Sequence, residues 1–259
     1  MKIFVMVDME GISGICLPAQ VLSDGAHYPA ARMFMTHDAN ACVAGCFDGG
    51  ATEVVVRDAH GWGFNFVWDK LDPRADYIQG NTQVGRMPGI GGFDGLILLG
   101  YHAMAGTPIA VLEHTMSSTG WQNFWLAGRK AGEIAIDAAI AGDHGVPTIM
   151  VSGDDKACRE ARRFIKGVVT AEVKTAHAVN GARLLSQPRA AELIRTSAAR
   201  AVGRCKKIKP FRVKSPVTMR LELVSRGTVP RHRPYVKVID GRTYEVTAAT
   251  VEEALNRLG

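Results

Sequence analysis

No stretch of this chain is apolar for long enough to cross a membrane. The Ala/Ile-rich segment around residue 138 is interrupted by Asp137 and Asp143, well short of the roughly 20 apolar residues that a spanning helix needs. The opening MKIFVMVDMEG does not read as a cleaved leader either, because its short apolar run meets Asp8 and Glu10 at once. Cysteine is scarce. Cys16, Cys42, Cys46, Cys158 and Cys205 are odd in number and form no CxxC pair, which argues against a disulfide framework and for a reducing, cytoplasmic setting. Cys42 and Cys46 stand four apart in a helical segment and read as small buried hydrophobes. The nucleophile elbow GxSxG and the zinc motif HExxH are both missing. PGIGG (88–92) lacks the Lys-Ser/Thr ending of a phosphate loop and precedes a strand, so it reads as a flexible turn. There is no internal repeat and no low-complexity tract.

What is present is an ordinary globular composition: 259 residues, 47% hydrophobic and 22% charged, enough to bury a core without a covalent staple. The formal charge of +6 is concentrated late, in AARAVGRCKKIKPFRVK (198–214). No aromatic-interleaved motif or zinc-finger spacing accompanies it, so a solvated face or subunit contact is expected rather than a nucleic-acid site. Strand and helix signals alternate through the first part. IFVMVD (3–8), TEVVVRD (52–58), GLILLGYH (95–102) and PTIMVSGDD (147–155) are apolar or β-branched runs suited to strands buried on both faces. DYIQG (76–80) is a shorter strand candidate, and WQNFWLAG (121–128) an edge strand or hairpin arm. Helices are expected over 29–47, closed by Gly49-Gly50, over 132–145, and over 156–165. The alternation predicts an α/β fold, a mostly parallel sheet sandwiched by helices, over residues 1–195. Residues 196–259 change texture: strand-like 214–225, a hairpin over 234–248 turning at DGR (240–242), and a closing helix over 250–259 predict a second, smaller α+β unit. Segments from 70–130 are open to either unit.

In open α/β sheets, ligands bind beyond the carboxyl ends of the strands. The four strong strands end in Asp8-Met9-Glu10, Asp58-Ala59-His60, Tyr101-His102 and Asp154-Asp155. Carboxylates and imidazoles therefore arrive together at one sheet edge. Asp8 and Glu10, two apart, share a face if the strand persists, and Gly11 lets the chain turn away. Two adjacent buried carboxylates repel one another unless a cation neutralises them. Mixed carboxylate and imidazole ligands suit zinc, manganese or cobalt, and Asp58 is placed to orient the His60 ring. Glu133 opens a helix directly after Gly132, where a carboxylate also suits the helix dipole. Asp137, four residues on, shares its face, so spacing leaves both as candidates. His114 lies in GTPIAVLEHTMSST, a segment read as a loop over the site, where it is either a general acid/base or simply exposed. His27, His37, His144, His177 and His232 sit in helices or loops without partners.

VDMEGISG (7–14), DAHG (58–61), LGYHA (99–103), EHTMS (113–117), GEIAIDA (132–138) and VSGDD (151–155) resemble, in order, the motifs of the DppA-type zinc-dependent D-aminopeptidases, the dipeptide-transport-operon family. The resemblance covers most of 1–195. It implies a metalloprotease with a binuclear zinc site (two ions per chain) that acts on short peptides with an amino-terminal D-amino acid, in a ring-like homo-oligomer. It implies Asp8, Glu10, His60, His102 and Glu133 as metal ligands, Glu133 over Asp137, and His114 as the catalytic nucleophile or base. The chain departs from the family pattern at Asp137, at Ala127-Gly128 and in GTPIAVLEH. Those departures are expected near the pocket and bear on substrate preference.

The ligand set implies a hydroxide attacking the peptide carbonyl while a metal polarises its oxygen. Asp8, ending the central strand, is the expected bridging carboxylate. His114 passes a proton to the leaving amine or attacks directly. Two rival readings are a binuclear-metal phosphohydrolase and a non-enzymatic peptide-binding transport accessory protein. The first requires cleavage of phosphate esters, and the second needs no converging metal site.

Overall fold

A computed structural model describes residues 1–227, 229–230 and 233–258; His232 and Gly259 lie outside the described residues. Strand β1 (Lys2–Val7) is buried at every position but Lys2. Helix α1 (Pro18–Val21) is a single turn, and α2 (Tyr28–Asp48) is long and stops at Gly49-Gly50, with Gly50 at φ 91°. Strands β2 (Glu53–Asp58), β3 (Asp76–Ile78) and β4 (Gly95–Tyr101) follow. The hairpin of β5 (Trp121–Leu126) and β6 (Arg129–Lys130) leads into α3 (Glu133–Asp143), then β7 (Thr148–Asp154) and α4 (Asp155–Phe164). A second hairpin, β8 (Val169–Ala178) with β9 (Gly181–Leu184), precedes α5 (Gln187–Val202), which runs across residue 195. The chain ends with β10 (Val217–Leu223), β11 (Val236–Val238), β12 (Thr243–Ala248) and α6 (Val251–Leu258).

The large sheet has the order β3-β2-β1-β4-β7-β8-β9, and every pairing is parallel except β8 with β9. Successive residues of a strand point to opposite faces. Every residue of β4 and β7 is buried, so both faces of the sheet centre are covered. Helices α2 and α5 pack on one another, α3 and α4 on one another, and each pair lies against the sheet. This is the expected sandwiched, mostly parallel α/β architecture. The smaller sheet is antiparallel, in the order β11-β12-β10-β5-β6. It takes strands from 121–130 as well as from the C-terminal part. WQNFWLAG is not an edge: β5 pairs with β10 on one side and β6 on the other.

Register sets the site. Val7 lies beside Asp58 on one flank and Leu99 on the other, so β1 and β2 end level and β4 runs two residues further, to Tyr101. The ladder continues one step through Asp8 N to Leu99 O (2.9 Å) and Ala59 N to Val7 O (2.9 Å). Two glycines then bring the loop after β1 against the end of β4. A Cβ on Gly11 would stand 2.1 Å from Tyr101 O, and one on Gly100 would stand 2.4 Å from Asp8 O. Gly11 therefore permits this close approach, which its amide secures by bonding to Gly100 O at 2.7 Å.

Candidate metal centre

Asp8 and Glu10 follow β1, His60 follows β2, His102 follows β4, and Glu133 is the first residue of α3. All five converge. His60 Nδ1 lies 3.1 Å from both Asp8 Oδ1 and Glu10 Oε2. His102 Nε2 lies 3.3 Å from both Asp8 Oδ2 and Glu133 Oε1. Asp8 thus turns one oxygen to each histidine. His114 stacks on His102 with ring centroids 3.9 Å apart, and its Nε2 is 3.8 Å from Glu133 Oε1. Two groups of potential ligands result: Asp8, Glu10 and His60 in one, His102, His114 and Glu133 in the other, each with its ligand atoms within 4.8 Å of one another.

The far nitrogen of each ring faces a backbone carbonyl: His60 Nε2 to Val21 O at 2.9 Å, His102 Nδ1 to Ala103 O at 3.0 Å, His114 Nδ1 to Leu112 O at 2.9 Å. A carbonyl can only accept, so these nitrogens carry the hydrogen in neutral imidazole and the others present lone pairs. The lone pairs of His60 and His102 face ionised carboxylates, which also only accept. Such a facing is repulsive unless a proton or a metal cation stands between. Glu10 Oε2 and His102 Nε2 are buried without a well-aligned hydrogen bond among the described residues, as expected of atoms aimed at a shared central point. The donor set of imidazole nitrogen and carboxylate oxygen fits zinc.

Without a metal, a proton takes that place. Burial pushes His60 and His102 toward the neutral form, but Glu10 and Asp8 around His60, and Asp8 and Glu133 around His102, outweigh it and raise both well above the usual range. Burial likewise favours the protonated acid at Asp8, yet His102 and His60 hold it well below the ordinary carboxylate range. At Glu133 burial is again overcome, chiefly by His102, and the carboxyl falls to about 2.

The supporting residues were harder to read from sequence. Asp137 points away from the centre: Tyr101 Oη donates to it at 2.6 Å and the Arg86 guanidinium grips it through Nε and Nη2. Arg86 Nη2 also stands 3.4 Å from Glu133 Oε2. Asp58 does not orient the His60 ring. Its carboxylate accepts from the Asn65 amide and side chain and from the His60 backbone, while Val21 O holds the ring. Asp154 and Asp155 also stay outside the centre. Asp154 caps α4 through the amides of Lys156 and Ala157 and accepts from Val111 N, anchoring the His114 loop. Asp155 binds Lys156 and the Ala176 amide. That loop stores backbone strain, with Ile109, Leu112 and Met116 all at φ between 49° and 59°, a region costly for such side chains. Ala127-Gly128 forms the turn between β5 and β6, both residues at positive φ, and lines no part of the site cavity. PGIGG holds a short 3-10 turn with Ile90 buried. Arg86 and Lys174 carried no motif in the sequence and are found only in the structure.

The centre opens into a cavity of about 980 Å3 whose wall combines Asp8, His60, His114 and Glu133 with apolar Val21 and Leu112. Trp62 and Phe64 stand largely exposed at its rim.

A five-residue constellation at the carboxyl edge of a parallel sheet, joined by a histidine from a strained loop, makes a candidate metallohydrolase site. The D-aminopeptidase family model, peptidase M55, matches residues 1–259, and the chain belongs to that family. It is 37% identical over 231 residues to a D-aminopeptidase of Bacillus subtilis (strain 168), covering 88% of this chain and 83% of that one. Its fold is similar to that of the Zn-dependent D-aminopeptidase DppA from Bacillus subtilis, described as a self-compartmentalizing protease. The TM-score is 0.95 at 35% identity, over 100% of this chain and 95% of the other.

Proposed function

We propose that this protein is a zinc-dependent aminopeptidase that hydrolyses short peptides bearing an amino-terminal D-amino acid, with two ions per chain. Asp8, Glu10, His60, His102 and Glu133 would hold the zinc in this reading, with Asp8 facing both histidines. The observation that carries it is the facing of imidazole lone pairs and carboxylates across buried gaps of 3.1–3.3 Å, which a divalent cation turns from repulsion into coordination. Bound by these residues, zinc would supply a Lewis acid for the peptide carbonyl and a means of activating water near neutral pH.

The chain's own residues do the rest. Leu112 O fixes the His114 tautomer, so Nε2 is the atom that takes a proton during attack and delivers it to the leaving amine. The strained loop places that ring against His102 without need of a substrate. Arg86 screens the outer oxygen of Glu133, and the Met116 amide donates to its inner one at 2.7 Å, so the carboxylate is held in one orientation. Selectivity for the D configuration rests on family membership.

Assembly into a ring-like homo-oligomer and a cytoplasmic location belong to the same reading. The self-compartmentalizing relative supports the first, and five free cysteines the second. Among the described residues no helix is long and apolar enough to cross a membrane. The test is elemental analysis joined to a substrate panel. About two zinc ions per chain are expected, with D-alanyl peptides cleaved faster than their L counterparts and activity lost on chelation. Full activity in metal-free protein would overturn the metal assignment. Equal rates on both hands would overturn the substrate, and faster cleavage of a chromogenic phosphate ester would reassign the enzyme.

A further inference from the structure

Beside the metal cavity lies a second one, of about 690 Å3, that the ligand set does not use. Two arginines line it, Arg57 and Arg86. Arg57 sits one residue before the end of β2, on the face opposite the buried row of Val54, Val56 and Asp58. Its Nε and Nη1 are buried, and neither has a hydrogen-bond partner among the described residues. An arginine cannot shed its proton to escape this, and buried unpaired donors are costly. Burial first, and then the like charge of Arg86, disfavour the Arg57 cation, while Asp58 and Asp137 offset this only in part. Asp58 is already committed to Asn65, and Asp137 to Arg86 and Tyr101. Arg57 therefore brings to the cavity wall a guanidinium two of whose nitrogens have no acceptor among the described residues.

Arg86 joins the two cavities. It lines both, and its Nη2 is 3.4 Å from Glu133 Oε2 in the metal centre. An aminopeptidase releases the part of its substrate that carries the C-terminal carboxylate. In a dipeptide that carboxylate lies about one residue, ~4 Å, beyond the scissile amide. A guanidinium fork matches a carboxylate with two parallel hydrogen bonds.

We infer that the Arg57–Arg86 cavity is the subsite for the C-terminal carboxylate of the substrate, making this enzyme selective for short peptides with a free C-terminus. The inference rests on the aminopeptidase reading above. Arg57 supplies the fork, and Arg86, held by Asp137, supplies the positive wall between carboxylate and metal centre. Ser117 and Trp121 also line the cavity.

The experiment compares D-alanyl-D-alanine with D-alanyl-D-alaninamide on the zinc-loaded protein and its Arg57→Gln and Arg57→Lys variants. Wild type is expected to favour the free acid by about 10-fold or more in kcat/KM, the worth of one charge-assisted contact. In Arg57→Gln the loss falls mainly on KM of the acid, and the acid-to-amide ratio collapses toward one. Arg57→Lys keeps charge without the fork and falls between. Zinc content and Tm of Arg57→Gln should stay near wild type, since an unpaired buried cation is removed. Calorimetric binding of N-acetyl-D-alanine, which carries the carboxylate and no scissile peptide bond, should weaken in parallel. No acid preference in wild type, or equal losses on acid and amide, would overturn the inference while leaving the peptidase. Preference for D-alanyl-D-aspartic acid α-amide over the free-acid dipeptide would overturn the terminal assignment in favour of a side-chain carboxylate. Arg57-dependent binding of N-acetyl-D-alanine without turnover of any peptide would instead sink the aminopeptidase reading and keep the carboxylate site.

Discussion

Lys174 is the least expected support of the metal centre, and its removal makes a quantitative test. It projects from β8 into the core and is only 2% exposed. Its ammonium donates to three backbone carbonyls of the loop that carries Glu10: Glu10 O at 2.5 Å, Ile12 O at 2.9 Å and Ile15 O at 2.6 Å. Three donors of one ammonium are thus spent on one loop. Lys174→Met keeps an unbranched stem of similar bulk and deletes all three bonds. A hydrogen bond to a charged group contributes about 1.5–3 kcal/mol, but an ammonium's burial costs several kcal/mol that the variant recovers. Three such bonds less the recovered burial cost leave an expected net loss of about 3–5 kcal/mol. For a chain of this size, unfolding entropy near 60 °C is about 0.5 kcal/mol/K, so Tm should fall by roughly 6–9 °C. Because the loop holds Glu10, zinc should dissociate more readily from the variant at a temperature where it is still folded. Calorimetry of unfolding and a competitive chelator titration read the two effects separately. A Tm within about 1 °C of wild type together with unchanged zinc retention would show that the carbonyls find other partners, and would refute the role given to Lys174.

Two further outcomes are expected. His114→Ala should keep its zinc and its fold but lose about 10²–10⁴ in kcat, whereas His60→Ala and His102→Ala should lose metal as well. Metal content and kcat on one His114→Ala preparation decide this: lost zinc makes His114 a ligand, and near-normal kcat makes it a bystander. Asp38 tests the pH dependence of stability. Burial, stronger than its two hydrogen bonds from Ser13, raises its carboxyl to about 6, against about 3.9 unfolded. The native state then binds the proton more tightly. Its contribution is complete below the unfolded value and is lost as pH rises through about 6, a loss of roughly 3 kcal/mol. Asp38→Asn retains partners for both Ser13 groups, so the variant's stability relative to wild type should climb by about 2 kcal/mol between pH 4 and 7 in urea titrations. Parallel curves would contradict it.

The parts of the fold legible in the sequence were those whose burial is uniform. β1, β4 and β7 are covered on both faces, and IFVMVD, GLILLGYH and PTIMVSGDD show it as unbroken apolar runs. The β8–β9 hairpin was missed although VTAEVKTAHA alternates and Asn180-Gly181 marks a turn. Its alternation is interrupted where Lys174, the most polar residue of the run, is buried. That burial pays no heed to residue type because three carbonyls from the chain's other end satisfy the ammonium. α5 was missed for a related reason: it begins at the unremarkable QPRAAEL, and its buried side faces α2, some 150 residues earlier in sequence.

The choice between Glu133 and Asp137 shows where reading by pattern stops. Both lie on α3, four apart, on one face and buried. Nothing in their spacing separates them. The separation comes from what meets each carboxylate. Glu133, at the first turn, reaches His102 at 3.3 Å. Asp137, one turn deeper, meets Tyr101 from β4 and Arg86 from the segment before it. Tyr101 and His102 are neighbours at the end of the same strand, so one strand end serves both acids: its imidazole turns toward the metal centre and its phenol toward the supporting pair. An arginine without an obvious partner in the sequence thus decides the fate of an aspartate 51 positions later. Such a residue is the kind that only three-dimensional contact can identify, because its role is defined by the charge it neutralises and not by any local pattern.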